Sequence, residues 1–310
     1  MTTEGKQDFP TLVQRYYRAH GATRQAIGMG CATIGWQADT EKLRQFQRTL
    51  DFAFENSIRY FDTSAQYGGS EFRLGEFLRR VPREEVFVAT KSPISSALSP
   101  SETALFLRQA IQNSLERLSV SHIDLFQVHD VSSLDTVFAP GGGLESLQAA
   151  QAEGLIGYIG LGVRSHDLLE QAAFSGAFDT ILTYMDYTPI NTSAADLIRK
   201  AAERGVGVVN GSPLSFGLLT GTDPRLRPLQ DSNHEYLLAN ATGFYDLCQA
   251  NQWSVVGAAM QFPLRNPGIS LTLTGPGSPE ELAATLAAID TQLPEEAWAV
   301  IAQEMGLPHP

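Results

Sequence analysis

Residues 60–78 read Tyr60-Phe61-Asp62-Thr63-Ser64-Ala65-Gln66-Tyr67-Gly68-Gly69-Ser70-Glu71-Phe72-Arg73-Leu74-Gly75-Glu76-Phe77-Leu78. Tyr60 and Phe61 close a short apolar run that starts at Arg59 and reads as a strand, and Asp62 and Tyr67 stand just beyond its end. Outward from this unit the same alternation recurs along the chain. Short apolar runs are expected to form strands at Ile27–Met29, Arg59–Phe61, Val86–Ala89, Ile123–Val128, Ile156–Leu161, Thr180–Tyr184, Val206–Asn210 and Ile269–Thr274. Between them lie stretches with apolar residues at three- and four-residue spacing, such as Leu43, Phe46, Leu50, Ala53 and Phe54, which is the pattern of amphipathic helices. Eight strands alternating with helices predict an α/β fold, a closed (β/α)8 TIM barrel. We read residues 1–310 as one barrel domain. Residues 1–24 are expected to be an N-terminal extension or a cover of the barrel bottom, with Leu12, Val13, Tyr16 and Tyr17 in a short helix or hairpin.

Composition narrows the function classes. The chain has 310 residues, 43% of them hydrophobic and 18% charged, with a formal charge of −12; it can bury a core but has no basic footprint for nucleic acid. Cys31 and Cys248 lie far apart with no zinc-ligand spacing, so both read as small buried apolar residues and no metal is expected. The N-terminus lacks an apolar signal region and no run is long enough to span a bilayer. We expect a cytoplasmic protein without membrane or nucleic-acid partners, a monomer or small homo-oligomer acting on a small molecule. Two longer connections, Val131–Gly143 and Leu218–Tyr236, follow strand ends and are candidate substrate loops, or packing on the outside of the barrel.

Asp62, Tyr67, Lys91 and His129 each fall at a strand end or in the loop after it. A barrel gathers those ends on one face, so the four should share a pocket. A phenol is a poor acid at neutral pH and needs a nearby cation to act in proton transfer. Lys91 is the available one. At about 4 Å and an effective dielectric near 20 the attraction is about 4 kcal/mol before burial costs are deducted, enough to bring Tyr67 into working range. Asp62 is expected to accept from the Lys91 ammonium, and His129 to orient a substrate oxygen. His20, His122, His166, His234 and His309 lack such a context, although His166 lies near a candidate cofactor segment.

Residues 60–78, together with Phe87-Val88-Ala89-Thr90-Lys91 and Ile123-Asp124-Leu125-Phe126-Gln127-Val128-His129 in the same order, resemble the aldo-keto reductase family. The resemblance implies hydride transfer between a nicotinamide and a carbonyl or carbinol. Tyr67 becomes general acid or base, Lys91 and Asp62 its tuning pair, and His129 the orienting donor. The chain lacks a GxGxxG fingerprint opening a βαβ unit, which argues against a doubly wound dinucleotide fold. The family resemblance places cofactor contacts at Gly162, Arg164 and Ser165, at Tyr184, along Ser212-Pro213-Leu214 to Gly217, and at Gly275, Gly277 and Ser278. Arg164-Ser165 replaces the usual Ser-Asn pair. No Lys or Arg occurs between Leu271 and Pro310, so either NADP or NAD remains open as cofactor. Gln261-Phe262-Pro263-Leu264 and Val128-His129-Asp130 are similar to the subgroup that oxidises aldoses at the anomeric carbon. Trp36 and Asp130 are the substrate-pocket candidates. The alternatives are a secondary-metabolism carbonyl reductase, which would share every catalytic residue, and a non-catalytic cofactor-binding regulatory subunit.

Overall fold

In the computed structural model, residues 26–227 and 232–307 are described. Eight parallel strands close into a barrel in chain order. They are β1 (Ile27–Gly30), β2 (Tyr60–Asp62), β3 (Phe87–Pro93), β4 (Ile123–His129), β5 (Ile156–Gly162), β6 (Thr180–Tyr184), β7 (Gly207–Gly211) and β8 (Leu271–Thr274). Closure is made by β1 on β8, with Ile27 opposite Thr272 and Met29 opposite Thr274. The helices are α1 (Thr40–Glu55), α2 (Ser70–Leu78), α3 (Pro100–Leu118), α4 (Asp135–Phe138), α5 (Gly143–Ala152), α6 (His166–Ser175), α7 (Ala195–Ala202), α8 (Ser232–Ala250), α9 (Val255–Leu264), α10 (Pro279–Asp290) and α11 (Glu295–Met305). All eight expected strands are present, and β3 runs further than expected because its ladder with β4 continues to Pro93 opposite His129. The proposed role of residues 1–24 lies outside the described residues, as do His20 and His309, and nothing is described for the side chain of His234.

Two cores follow from the two faces of the strands. Phe61, Val88, Phe126 and Val128 face outward and join the helices in the larger core. Tyr60, Phe87, Ala89, Leu125, Leu182, Val209, Leu271 and Leu273 form a separate apolar cluster, the inward-facing filling of the tube. Within it Tyr60 stacks on Phe87 at 5.0 Å. Because strand side chains alternate with period two, the next inward positions above Tyr60, Ala89 and Leu125 are Asp62, Lys91 and Gln127. A polar layer therefore sits directly on an apolar one, at the C-terminal end of the barrel.

The Val131–Gly143 connection packs on the outside of the barrel. Val131, Leu134 and Val137 are buried in the larger core, and the glycine run that ends it lets the backbone lie close to α3. A Cβ on Gly143 would meet Leu107 at 2.8 Å. Residues 228–231 of the second long connection lie outside the described residues; its later part is already helix, in α8.

Candidate active site

Tyr67 is delivered by the loop after β2, and that loop is docked on the one after β1. The Gly69 N–H donates to the Gly35 carbonyl at 3.0 Å, and the Ser70 hydroxyl donates to the Cys31 carbonyl at 2.7 Å. The approach requires glycine. A Cβ on Gly35 would fall 1.8 Å from the Tyr67 carbonyl oxygen, and Gly68 takes the left-handed conformation at φ 52°. Asp62, Lys91 and His129 come from strands and need no such device.

The structure brings the four residues together. The buried Lys91 ammonium donates to Asp62 and to the Thr63 carbonyl at 2.8 Å, and it lies 5.0 Å from the centre of the Tyr67 ring. The rings of Tyr67 and His129 meet edge-on at 6.2 Å. Burial alone would push the Lys91 ammonium down, but Asp62 and then Tyr67 outweigh it and hold the group above its ordinary value. Burial drives His129 down to about 3, with Lys91 adding to the effect, so the imidazole is neutral near pH 7. Asp130 Oδ2 lies 3.6 Å from His129 Nε2, which is too long for a hydrogen bond.

Tyr67 departs from expectation. Burial pushes its phenol above the ordinary value, and Lys91 opposes this without overcoming it, while Asp62 and Asp130 raise it further. The Lys91 ammonium is paired with Asp62, and that carboxylate opposes its effect on the phenol. The group is thus a protonated donor at neutral pH and becomes an acceptor only under alkaline conditions.

Asp130 takes a left-handed backbone at φ 46°, a conformation that Asp tolerates better than bulkier residues. Its N–H donates to the Gly162 carbonyl at 3.1 Å, and its side chain is half exposed at the mouth of the pocket. Burial pushes its carboxyl up, with Lys91 opposing. Trp36 is 66% exposed, so it is not packing; it stands on the rim, next in the chain to Gly35. Gly162 lines the inside of the barrel, where a Cβ would lie 3.5 Å from the His129 ring.

The remaining candidates ring the mouth. Arg164 donates to the buried Asp186 at 3.0 Å and lies 5.7 Å from the Tyr184 ring. The Ser165 hydroxyl accepts from the Leu168 N–H as the cap of α6. Ser212, Ser215 and Phe216 all have positive φ, at 51°, 47° and 49°, and Phe216 meets Tyr184 edge-on at 6.5 Å. Pro213 and Leu214 lie within this turn, which the Gly217 N–H closes on the Leu214 carbonyl at 2.9 Å. At the far side, Ser278 caps α10, the Gly275 carbonyl accepts from Thr33 at 3.2 Å, and the Gly277 N–H donates to Glu281 at 2.8 Å.

Four residues escaped the sequence reading. Lys42 reaches across from α1 to the Gly277 carbonyl at 3.4 Å, so a cation does stand at the turn where none was expected. The Arg227 guanidinium packs against Gly217 and donates to Thr220 at 2.6 Å, and its buried Nε has no partner among the described residues. Asp186 gathers Arg164, His166 at 3.2 Å, Thr183 at 3.1 Å and Asn191 at 3.2 Å. Gln127 donates to Asp62 at 3.1 Å. These groups fit a dinucleotide chemically: an aromatic wall at Tyr184 and Phe216, an unmet guanidinium donor beside a tight turn, and a second turn opening a helix. Among the described residues no group of His, Cys, Asp and Glu suits a metal ion, and no helix is long and apolar enough to cross a membrane.

Comparison with known proteins identifies the family. The sequence profile of the Aldo/keto reductase family matches residues 26–304. D-threo-aldose 1-dehydrogenase of a Pseudomonas species is 28% identical, over 94% of this chain and 97% of that protein. L-galactose dehydrogenase of Arabidopsis thaliana is 30% identical, over 87% and 85%. NADH-specific methylglyoxal reductase of Escherichia coli strain K12 is 26% identical, over 92% and 95%. A closed eight-stranded barrel and a profile match spanning it lead to one conclusion: the chain belongs to the aldo/keto reductase family and is an NAD(P)-dependent oxidoreductase.

Proposed function

We propose that the chain oxidises the anomeric carbon of an aldose with NAD, using Tyr67 as the general base and, in the reverse direction, as the general acid. The observation that carries this reading is the polar layer in which Lys91 is shared between Asp62 and the Tyr67 ring, with the neutral His129 beside them. A nicotinamide held at the mouth supplies the hydride acceptor or donor. Tyr67 takes the proton of the C1 hydroxyl in oxidation, and the product of the balanced step is the lactone. His129 stays neutral and is able to hydrogen-bond the same oxygen. Lys91 stabilises the phenolate that must form, and Asp62 keeps the buried ammonium paired.

Asp130 favours a polyol over an apolar aldehyde. Its half-exposed carboxylate beside His129 is an acceptor for sugar hydroxyls, and an apolar substrate would leave it desolvated and unpaired. Two of the relatives carry aldose or galactose dehydrogenase names. For the cofactor, Glu281 supports NAD. Its carboxylate already occupies the Gly277 amide, where it can accept from a ribose hydroxyl but repels a 2′-phosphate; Lys42 is held by Gln45 at 3.0 Å and by the Gly277 carbonyl.

The test follows the absorbance of reduced nicotinamide with NAD and NADP against a panel of aldoses, and with both reduced cofactors against aldehydes and ketones. Aldose oxidation with NAD is expected, faster at alkaline pH because burial keeps Tyr67 protonated near neutrality. Tyr67→Phe should lower turnover by roughly 10²- to 10⁴-fold while dissociation constants for the cofactor hold. Reduction of apolar aldehydes with no aldose oxidation would replace this reading with that of a carbonyl reductase.

A further inference from the structure

Gln127 is completely buried on the inward face of β4, opposite Lys91 in the ladder with β3. Its amide nitrogen donates to Asp62 Oδ2 at 3.1 Å, while Lys91 donates to Asp62 Oδ1. Each oxygen of the one carboxylate is therefore held from a different strand, one from the adjacent β3 and the other from β4 beyond it. The amide must face this way, since its oxygen set against a carboxylate oxygen would be repelled. That oxygen has no hydrogen-bond partner among the described residues. An apolar side chain of similar volume would fill the same space without leaving a buried acceptor unmet, so stability alone does not account for glutamine here. What the amide adds is the bond to Asp62.

We propose that Gln127 is a positioning residue for the reaction, fixing Asp62 and, through it, the Lys91 ammonium in the place from which it acts on Tyr67. The inference rests on the reading of Tyr67, Lys91 and Asp62 given above. The charged and titratable groups facing the Asp62–Lys91 pair are Tyr67 on the loop after β2, Cys31 just beyond β1, and His129 and Asp130 at the end of β4. From β5, Gly160 and Gly162 face Gln127 itself and bring no charge. Gln127 is neutral, so it holds the carboxylate without disturbing the charge balance that keeps Lys91 protonated. A carboxyl at the same position can do this only while it carries a proton.

Two substitutions test this, because they move the pH profile of kcat in opposite directions. Gln127→Met removes the donor and makes proton uptake beside Lys91 easier. Turnover at neutral pH should fall about tenfold and the acidic limb should move up by about one pH unit. Gln127→Glu keeps the shape. It should stay within about threefold of the parent at acidic pH and lose about tenfold as its proton leaves on raising the pH. In both, the dissociation constant for NAD, read by fluorescence quenching, should change less than about twofold, as expected of a group that does not touch the cofactor. Profiles that parallel the parent at every pH would overturn the proposal, and so would a chain that folds with neither substitution, since Gln127 would then serve folding alone. If Gln127→Met alone fails to fold, the isosteric variant carries the test. Lys91→Met separates the two levels of the argument. Full turnover in that variant would remove the reading of the Tyr67 group itself, whereas loss of turnover there with unmoved Gln127 profiles would remove only the role of Gln127.

Discussion

His129 is where burial and proton affinity conflict most openly. Its imidazole is held down to about 3 from an ordinary 6.5. Above pH 6.5 folded and unfolded chains both carry it neutral, and stability does not depend on it. Between pH 6.5 and about 3 the unfolded chain takes a proton that the folded one refuses, so stability falls as pH falls, by up to about 1.4 kcal/mol per pH unit. Melting temperatures measured across this window should decline on acidification, and His129→Asn should flatten the decline. An equal slope in the two proteins would show that the carboxylates alone set it. Tyr67 teaches the complementary lesson. Coulomb's law at an assumed separation suggested a lowered phenol, yet burial and the nearby Asp62 decide the sign.

At the scale of elements, the site depends on how two loops and one turn are built. The loop bearing Tyr67 rests on Gly35, where a Cβ would lie 1.8 Å from the Tyr67 carbonyl oxygen. Gly35→Ala should therefore displace the phenol and lower kcat by about tenfold or more, since misplacement of about 1 Å is costly to a reacting geometry. Cofactor affinity should persist, because the groups ringing the mouth lie on other elements; a parallel loss of both would point to general unfolding. The Gly277 turn offers the second test. Glu281→Gln removes the charge seated on its amide and should improve kcat/KM for NADP relative to NAD by about tenfold. An unchanged ratio would place the preference elsewhere.

The strands were readable because each is a short apolar run with its own boundary signals, and the four residues at their ends because a barrel converts sequence order into a ring. Gln127, Asp186, Arg227 and Lys42 were not readable in this way. Lys42 meets Gly277 across 235 residues and Gln127 meets Asp62 across 65, and no local pattern encodes such meetings. Ser165 carries a local role that the sequence reading did not name: its hydroxyl accepts from the Leu168 N–H and caps α6, which leaves the hydroxyl hydrogen to donate.

The whole molecule is held as a ring by the pairing of β1 with β8. The polar layer needs that closure, since opening the sheet would admit water beside Lys91 and expose the inward-facing apolar side chains. A chain ending at Pro267 lacks β8 and should show no cooperative thermal transition by circular dichroism. A sharp transition in that fragment would mean that seven strands suffice. Charge is likewise a property of the whole: in a chain of net charge −12, Arg164, Arg227 and Lys42 stand at the mouth, where on the proposed reading they would draw an anionic dinucleotide.

Tyr60, Phe87, Leu125 and their neighbours make the tube a cul-de-sac. They close the tube beneath the polar layer, so on the proposed reading Tyr67 would exchange its proton with water from the C-terminal side. With substrate and dinucleotide standing there, that proton would be held for the lifetime of the complex, and its return to bulk water would wait on a departure.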